Sequence, residues 1–248
     1  MELTESGMKD DREFALVILN NDRCTALSVT KYPRLVLIEP TLATDLISVK
    51  APGMSDLTIP ITLTGKEYIL DYYGDSVSVF DQGDISSVWF SSFLNVNVRL
   101  VKISRSVFLR SPILIISDST LLALSSQVGH HIEYARFRPN ILLANLSPFQ
   151  EDHCGQFQFG NEVSLNVTSL CDRCSVPGVD TVFGVLSTSL VGKLRRLRTI
   201  GFDISKWCVG VYAQPEIPAG EKRRVFVGQE TSFLLTDMET NYSNIPPS

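Results

Sequence analysis

The sequence predicts a mainly β protein of the α+β class, in which short helices accompany the strands. The first observation is an alternation of apolar and polar residues that is most regular over residues 163–167 and has the period of a half-buried strand. The second is the presence of turn signals such as Pro52-Gly53 and Gln82-Gly83-Asp84 between alternating segments. The third is the small number of segments with a helical pattern.

Further strands are predicted at residues 26–30, 57–59 and 77–79. Helices are predicted at residues 85–94, 118–127 and 191–198. Ser117 precedes the second helix and is suited to cap it, because a serine hydroxyl can accept from the first free amides of a helix. We place a domain boundary at the Gln82-Gly83-Asp84 turn, which gives a small β-rich N-terminal domain (1–82) and a larger C-terminal domain (83–248).

Composition bounds the possible partners and compartments. The chain has 248 residues, 44% of them hydrophobic, which is enough to bury a large core. A net charge of -5 disfavours nucleic acid and anionic membranes as partners. No apolar segment approaches the roughly 18 residues of a membrane span, and the start has no signal-peptide pattern. Five irregularly spaced cysteines indicate reduced thiols, so we expect a cytoplasmic or mitochondrial protein.

The segment Cys171-Asp172-Arg173-Cys174 is the first candidate for chemistry. A thiolate is a soft ligand for zinc, copper or molybdenum, and the neighbouring Arg173 favours the anion. A single CxxC also fits two small buried residues at the end of a strand. A zinc site would need further ligands, for which His153-Cys154 is the upstream candidate.

Two other segments could bind an anion. In Arg136-Phe137-Arg138-Pro139-Asn140, the proline disfavours helix at Arg138, so we expect an extended segment that presents Arg138 and Asn140. A guanidinium suits phosphate, although a solvated basic loop would have the same composition. Arg110-Ser111-Pro112 precedes an apolar run and fits either an anion contact or an ordinary turn.

The basic cluster at residues 193–198 lacks interleaved aromatic residues. It therefore indicates a solvated helix face or a docking surface for an acidic protein, and not a nucleic-acid site.

In this order, these segments resemble the MOSC family, which includes the C-terminal domain of molybdenum-cofactor sulfurase and the mitochondrial amidoxime-reducing component. The resemblance is specific because four motifs occur in one order: Arg-Pro-Asn, Glu-Asp, CxRC and Val-Asp. The segments that carry it are Arg138-Pro139-Asn140, Glu151-Asp152, Cys171 to Cys174 and Val179-Asp180, with weaker matches at Asp11-Arg12-Glu13, Arg110-Ser111-Pro112 and Gly210-Val211-Tyr212.

The resemblance implies a MOSC β-barrel preceded by a smaller β-rich domain, with a molybdenum cofactor (molybdenum–molybdopterin) in a cleft between them. It implies that Cys174 coordinates molybdenum and is the catalytic residue. The residues that match cofactor-contacting positions are Arg12, Arg110, Ser111, Arg138, Asn140, Asp172, Arg173 and Tyr212.

The implied activity is reduction of N-hydroxylated small molecules, with a b-type cytochrome and its reductase as electron donor. The alternative is a non-catalytic carrier of the cofactor, like the sulfurase's C-terminal domain. Pyridoxal phosphate binding is also attributed to the family. A nucleophilic hydrolase is a third reading, for which the three histidines offer no Ser-His-Asp constellation.

The chain also departs from the family pattern. A strand with a YPIKS-like motif usually opens the N-terminal domain, and no such motif precedes Gly7. We therefore expect that the first strand of this domain is missing, which leaves an unpaired sheet edge, and that either cofactor retention is weaker or the sequence is N-terminally truncated. Asp172 stands where the motif of the amidoxime-reducing proteins has serine, which places a carboxylate beside the expected phosphate unless Arg173 or Arg138 compensates it.

Overall fold

The computed structural model describes residues 1–72, 75–104, 113–200 and 203–236. Strands dominate the described residues. The strands are β1 (Glu2–Thr4), β2 (Gly7–Met8), β3 (Phe14–Asn20), β4 (Arg23–Ala26), β5 (Glu39–Leu42), β6 (Leu46–Lys50), β7 (Leu57–Pro60), β8 (Glu67–Tyr72), β9 (Asp75–Asp81), β10 (Arg99–Ile103), β11 (Ile113–Ser117), β12 (Ile141–Leu143), β13 (Cys154–Phe159), β14 (Val163–Asp172), β15 (Thr199–Ile200), β16 (Asp203–Pro215), β17 (Arg223–Arg224) and β18 (Thr231–Leu235). The mainly β prediction is confirmed.

The α-helices of the described residues lie where the sequence predicted helix. They are α1 (Asp84–Leu94), α2 (Asp118–Val128) and α3 (Thr188–Leu197). The Ser117 hydroxyl accepts from the Thr120 amide, so the predicted cap of α2 is confirmed. Short 3-10 helices occur at Pro33–Leu37, Tyr134–Arg136, Gln150–His153 and Val176–Gly178. Within the described residues, no helix is long and apolar enough to cross a membrane.

The predicted strands at 57–59, 77–79 and 163–167 lie within β7, β9 and β14. The predicted strand at 26–30 is wrong beyond Ala26, where β4 ends. Residues 28–30 form a turn in which the Ser28 carbonyl accepts from the Lys31 amide at 3.1 Å. The hydroxyls of Ser28 and Thr30 are 2.8 Å apart, and such local hydrogen bonds compete with a strand ladder.

Contacts divide the chain into two compact units. The larger unit comprises the described parts of residues 1–11, 108–178 and 187–248, and the barrel unit comprises those of 12–107 together with 179–186. The barrel unit extends past the predicted boundary after Gln82, because β10 is needed to complete its barrel.

The barrel unit is built around a closed barrel with the strand order β10-β3-β4-β8-β9. β3 pairs with β10 on one side and with β4 on the other. The expectation of an unpaired edge is therefore wrong for this barrel, which the pairing of β10 with both β3 and β9 closes. A three-stranded sheet of β5, β6 and β7 completes the unit, and its apolar residues pack with Trp89, Phe90 and Phe93 of α1.

The larger unit is built around a mixed sheet with the order β12-β11-β16-β14-β13-β18 and with β15 paired to β16. A small sheet of β17, β1 and β2 accompanies it. One apolar cluster on this sheet includes Ile113, Phe157 and Val211. A second cluster joins the sheet to α2 and α3 and includes Trp207. The cluster under the two helices also contains Cys171, so the CxRC segment is anchored in this core.

Gly210 is required by the close approach of β16 to β11. Its φ is +76°, and a Cβ there would lie 2.5 Å from the carbonyl oxygen of Ile115. Gly210→Ala is therefore expected to lower the free energy of unfolding by about 2–4 kcal/mol, because the backbone must shift to relieve the clash and the strain. Urea unfolding followed by tryptophan fluorescence measures this.

Gly192→Ala is the matched control for that substitution. Gly192 lies inside α3, and a Cβ there would meet nothing within 4 Å. The free energy of unfolding is expected to rise by about 0.5–1 kcal/mol because alanine is the better helix former. Equal effects of the two substitutions would contradict the assigned role of Gly210.

Candidate functional site

The CxRC segment spans the end of β14 and the turn that follows it. Cys171 and Asp172 are the last residues of the strand, and their side chains point to opposite faces because of the strand's alternation. Cys171 is fully buried, whereas Asp172 is exposed. Cys174 lies in the turn after the strand and is exposed, while the other four cysteines of the chain are buried. The segment thus presents one accessible thiol.

Cys171 is held as a neutral core thiol. Burial raises its pKa, and the Arg173 cation and a hydrogen bond with Tyr212 oppose that rise without cancelling it. The Tyr212 side chain packs against the same cluster as Cys171. Tyr212, which was predicted to contact the cofactor, therefore also supports the first cysteine of the motif.

Arg173 makes its hydrogen bonds with main-chain carbonyls. Nε donates to the Val209 carbonyl oxygen at 2.9 Å, and Nη2 donates to the same oxygen. Nη1 donates to the Phe137 carbonyl oxygen at 3.1 Å. The guanidinium carbon lies 5.2 Å from the centroid of the Phe137 ring. Arg173 is half-buried, and this burial lowers the pKa of its guanidinium.

The predicted extended conformation at Arg138 is wrong. Arg138 has a φ of +55°, in the left-handed region. The 3-10 helix Tyr134–Arg136 ends at Phe137, and the Arg138 amide donates to the Ala135 carbonyl at 3.2 Å, so Arg138 closes the turn. Pro139 disfavours right-handed helix for the preceding residue, and the left-handed conformation also avoids that region. The Arg138 side chain is exposed.

Asn140 joins three segments of the larger unit. Its Oδ1 accepts from the Leu114 amide at 2.9 Å, and its own amide donates to the Leu114 carbonyl at 2.9 Å. Its Nδ2 donates to the Asp11 carboxylate at 3.1 Å and contacts the Met8 sulfur at 3.5 Å. These contacts fix the position of the segment that follows Arg138.

The remaining predicted site residues are distributed as follows. Arg12 is half-buried with a φ of +57° and belongs to the barrel unit. Arg110 and Ser111 lie outside the described residues. Contact of these and of all the other predicted site residues with a cofactor stays a prediction.

The described residues contain no group of three or more histidine, cysteine or acidic side chains placed to hold a metal ion. Cys154, a candidate zinc ligand from the sequence, is fully buried at the start of β13. Its thiol donates to the Gln150 carbonyl at 3.4 Å, and burial raises its pKa to about 11.

The Glu-Asp pair has a role that the sequence did not reveal. Glu151 is fully buried and accepts from the Ser117 amide at 3.0 Å, the Ser117 hydroxyl at 2.8 Å and the Thr120 hydroxyl at 2.9 Å. It therefore secures the start of α2. Asp152 forms a buried ion pair with Arg198, and each side chain is 1% exposed.

The prediction of a solvated face for residues 193–198 holds only in part. Lys193 and Arg196 are exposed, but Arg198 is buried. Its Nε donates to the Cys208 carbonyl at 3.0 Å, and its guanidinium lies 4.4 Å from the Phe149 ring. Arg198 follows the last residue of α3 and turns into the core, so the helical pattern does not describe it.

The fold and the site define a mainly β protein of two units, one of which carries an exposed thiol at the end of a sheet strand. Family models match both parts: the MOSC N-terminal beta barrel domain at residues 1–97 and the MOSC domain at residues 95–230. The chain belongs to the MOSC family.

Curated relatives include mitochondrial amidoxime-reducing components and molybdenum cofactor sulfurases. Mitochondrial amidoxime reducing component 2 of Bos taurus is 29% identical over 177 residues, which are 62% of this chain and 52% of that protein. Molybdenum cofactor sulfurase of Caenorhabditis elegans is 29% identical over 253 residues, 98% of this chain and 33% of the relative. The human mitochondrial amidoxime-reducing component 1 is 29% identical over 205 residues, 73% of this chain and 60% of the relative. The chain thus spans about half of the bovine relative's length and a third of the nematode relative's.

Proposed function

We propose that this chain binds a molybdenum cofactor through the thiolate of Cys174 and that the loaded protein reduces N-hydroxylated small molecules. The observation that carries the proposal is the exposure of Cys174, next to Arg173, in a chain whose other cysteines are buried. A thiolate is a suitable soft ligand for molybdenum. The family and the amidoxime-reducing relatives support the same chemistry.

The residues of the larger unit fit such a cofactor. Arg138 is exposed, and none of the described residues forms a hydrogen bond or ion pair with its side chain. Its guanidinium is thus available for a phosphate, which it can bind by two parallel hydrogen bonds. When bound, the cofactor would supply a two-electron redox centre, while the protein supplies binding and orientation.

The proposed roles of the chain's residues follow from these contacts. Cys174 would hold the metal, and Arg138 would bind the pterin phosphate. Asn140 would keep Arg138 in place through its hydrogen bonds with Leu114. Arg12, Arg110, Ser111 and Tyr212 stay predicted contacts of the cofactor, and a b-type cytochrome with its reductase would deliver electrons. Pyridoxal phosphate stays a prediction with no residue assigned to it.

A non-catalytic cofactor carrier is the second candidate. It is supported by the match to the nematode molybdenum cofactor sulfurase, which covers 98% of this chain. The two candidates share the thiolate ligand and the phosphate contact. They differ in whether the bound cofactor turns over a substrate.

The test is to produce the chain in a host that makes the molybdenum cofactor and to measure bound metals and benzamidoxime reduction with a reduced artificial electron donor. Stoichiometric molybdenum with formation of benzamidine supports the enzyme. Stoichiometric molybdenum without turnover supports the carrier. Stoichiometric zinc without molybdenum would overturn both.

A further inference from the structure

Arg173 connects the CxRC turn to two other segments of the larger unit. Its guanidinium donates to the carbonyl oxygens of Val209, in β16, and Phe137, at the turn before Arg138. Its own amide donates to the Trp207 carbonyl at 2.9 Å. One residue therefore fixes the start of the Cys174 turn, the middle of β16 and the turn that presents Arg138.

The Arg173 guanidinium donates its hydrogen bonds to carbonyl oxygens, and no carboxylate of the described residues forms an ion pair with it. The ionisable side chains near it include those of Cys171, Cys208 and Tyr212. Carbonyl dipoles and the Phe137 ring supply its other favourable contacts. A planar fork of donors suits two carbonyls in different segments, whereas a lysine ammonium on a flexible stem cannot bridge them in the same way.

The other end of this connection is Arg138. Its turn is held on one side by the contact of Arg173 with the Phe137 carbonyl at 3.1 Å and on the other by the paired hydrogen bonds of Asn140 with Leu114. The Arg138 side chain is exposed between these two fixed points. Its backbone has a left-handed conformation that a non-glycine residue adopts only when its surroundings impose it.

From these contacts we infer that Arg173 is a positioning residue, which holds the Arg138 guanidinium and the Cys174 thiol at a fixed spacing. This inference rests on the proposed function. In it, Arg173 keeps the metal ligand Cys174 and the phosphate-binding Arg138 at the separation that the two ends of the cofactor require. Preorganisation of this kind raises affinity by reducing the ordering that binding requires.

The test combines Arg173→Lys, which keeps the cation and loses the fork, with Arg138→Lys as the matched control at an exposed arginine. Amide hydrogen exchange is measured on the cofactor-free protein. Arg173→Lys is expected to speed exchange in residues 134–142 by about tenfold or more, because two contacts from a charged donor are lost. In Arg173→Lys, amide exchange in β13 should be unchanged. In Arg138→Lys, amide exchange in residues 134–142 should be the same as in the wild type.

The second readout is retention of molybdenum after loading. Arg173→Lys is expected to release the cofactor about tenfold faster than the wild type. Unchanged exchange together with unchanged release would overturn the inference. Faster release with unchanged exchange would mean that Arg173 contacts the cofactor directly, which also overturns it.

The two proposals fail in different ways. A wild-type protein that takes up no molybdenum contradicts the proposed function, while the exchange measurement still decides whether Arg173 holds the turn. If Arg173→Lys gives no folded protein, Arg173→Gln is measured in the same way. Glutamine keeps one donor group, so the same local increase in exchange is expected.

Discussion

Replacement of Cys174 by serine is expected to remove at least nine-tenths of the molybdenum bound by protein from a cofactor-producing host, on the order of a tenfold loss or more. The substitution exchanges a soft thiolate for a neutral hydroxyl that does not ionise near neutral pH. Because the residue is exposed, the free energy of unfolding should change by no more than about 0.5 kcal/mol. Metal analysis and urea unfolding of the same preparation measure the two effects.

The matched control is Cys171→Ser in the same motif. Cys171 is buried in the core under α2 and α3, so this change should lower stability by about 1 kcal/mol and leave molybdenum bound. Full retention of molybdenum by Cys174→Ser would contradict the assignment of the ligand.

Alkylation gives an independent check that needs no metal analysis. Four of the five cysteines are buried, and Cys174 is exposed. Iodoacetamide should therefore modify the cofactor-free protein at Cys174 first, since accessible thiols react selectively. Loading with the cofactor should protect that residue from the reagent.

Arg198→Met is expected to lower the free energy of unfolding at neutral pH by about 3–5 kcal/mol, because it leaves the buried Asp152 carboxylate without its cation. It also removes the donor to the Cys208 carbonyl. Arg196→Met is the matched control on the same segment. Arg196 is exposed, so its loss should change stability by no more than about 0.5 kcal/mol.

The loss of unfolding free energy caused by Arg198→Met should also depend on pH. Burial raises the pKa of Asp152 to about 6, although Arg198 opposes the rise. A carboxyl whose pKa is raised by folding favours the folded state most when it is protonated, and that contribution is lost as the pH rises through the folded pKa. Without Arg198 the pKa rises further, so the stability gap between variant and wild type should be larger at pH 7.5 than at pH 5. A gap independent of pH would contradict this account.

Local signals predicted the three α-helices of the described residues and the strands at 57–59, 77–79 and 163–167, but most of the shorter strands were not predicted. The start of α2 was predictable because the serine cap and the apolar pattern lie within a few residues of each other. β14, which ends in the CxRC segment, was equally predictable, since the alternation at residues 163–167 forms its first half. Such features depend on neighbours along the chain.

Burial of single side chains was not predictable in the same way. Arg198 belongs to a basic run, and its partner Asp152 is 46 residues away in the sequence. The left-handed Arg138 depends on the 3-10 turn before it, which the proline rule does not reveal. The sequence identified Cys174 as a candidate ligand, but its exposure relative to Cys171 required the fold.

The contacts of Arg173 bear on which neighbouring substitutions a MOSC protein can tolerate. Because its acceptors are peptide oxygens, the hydrogen bonds do not require particular side chains at positions 137 and 209, where core packing is the separate constraint. Sequence drift around the motif would thus be compatible with an invariant local geometry. The hydrogen bonds would require the arginine and the course of the backbone to be kept. Comparing distant family members by residue identity alone would then underestimate the similarity of their sites.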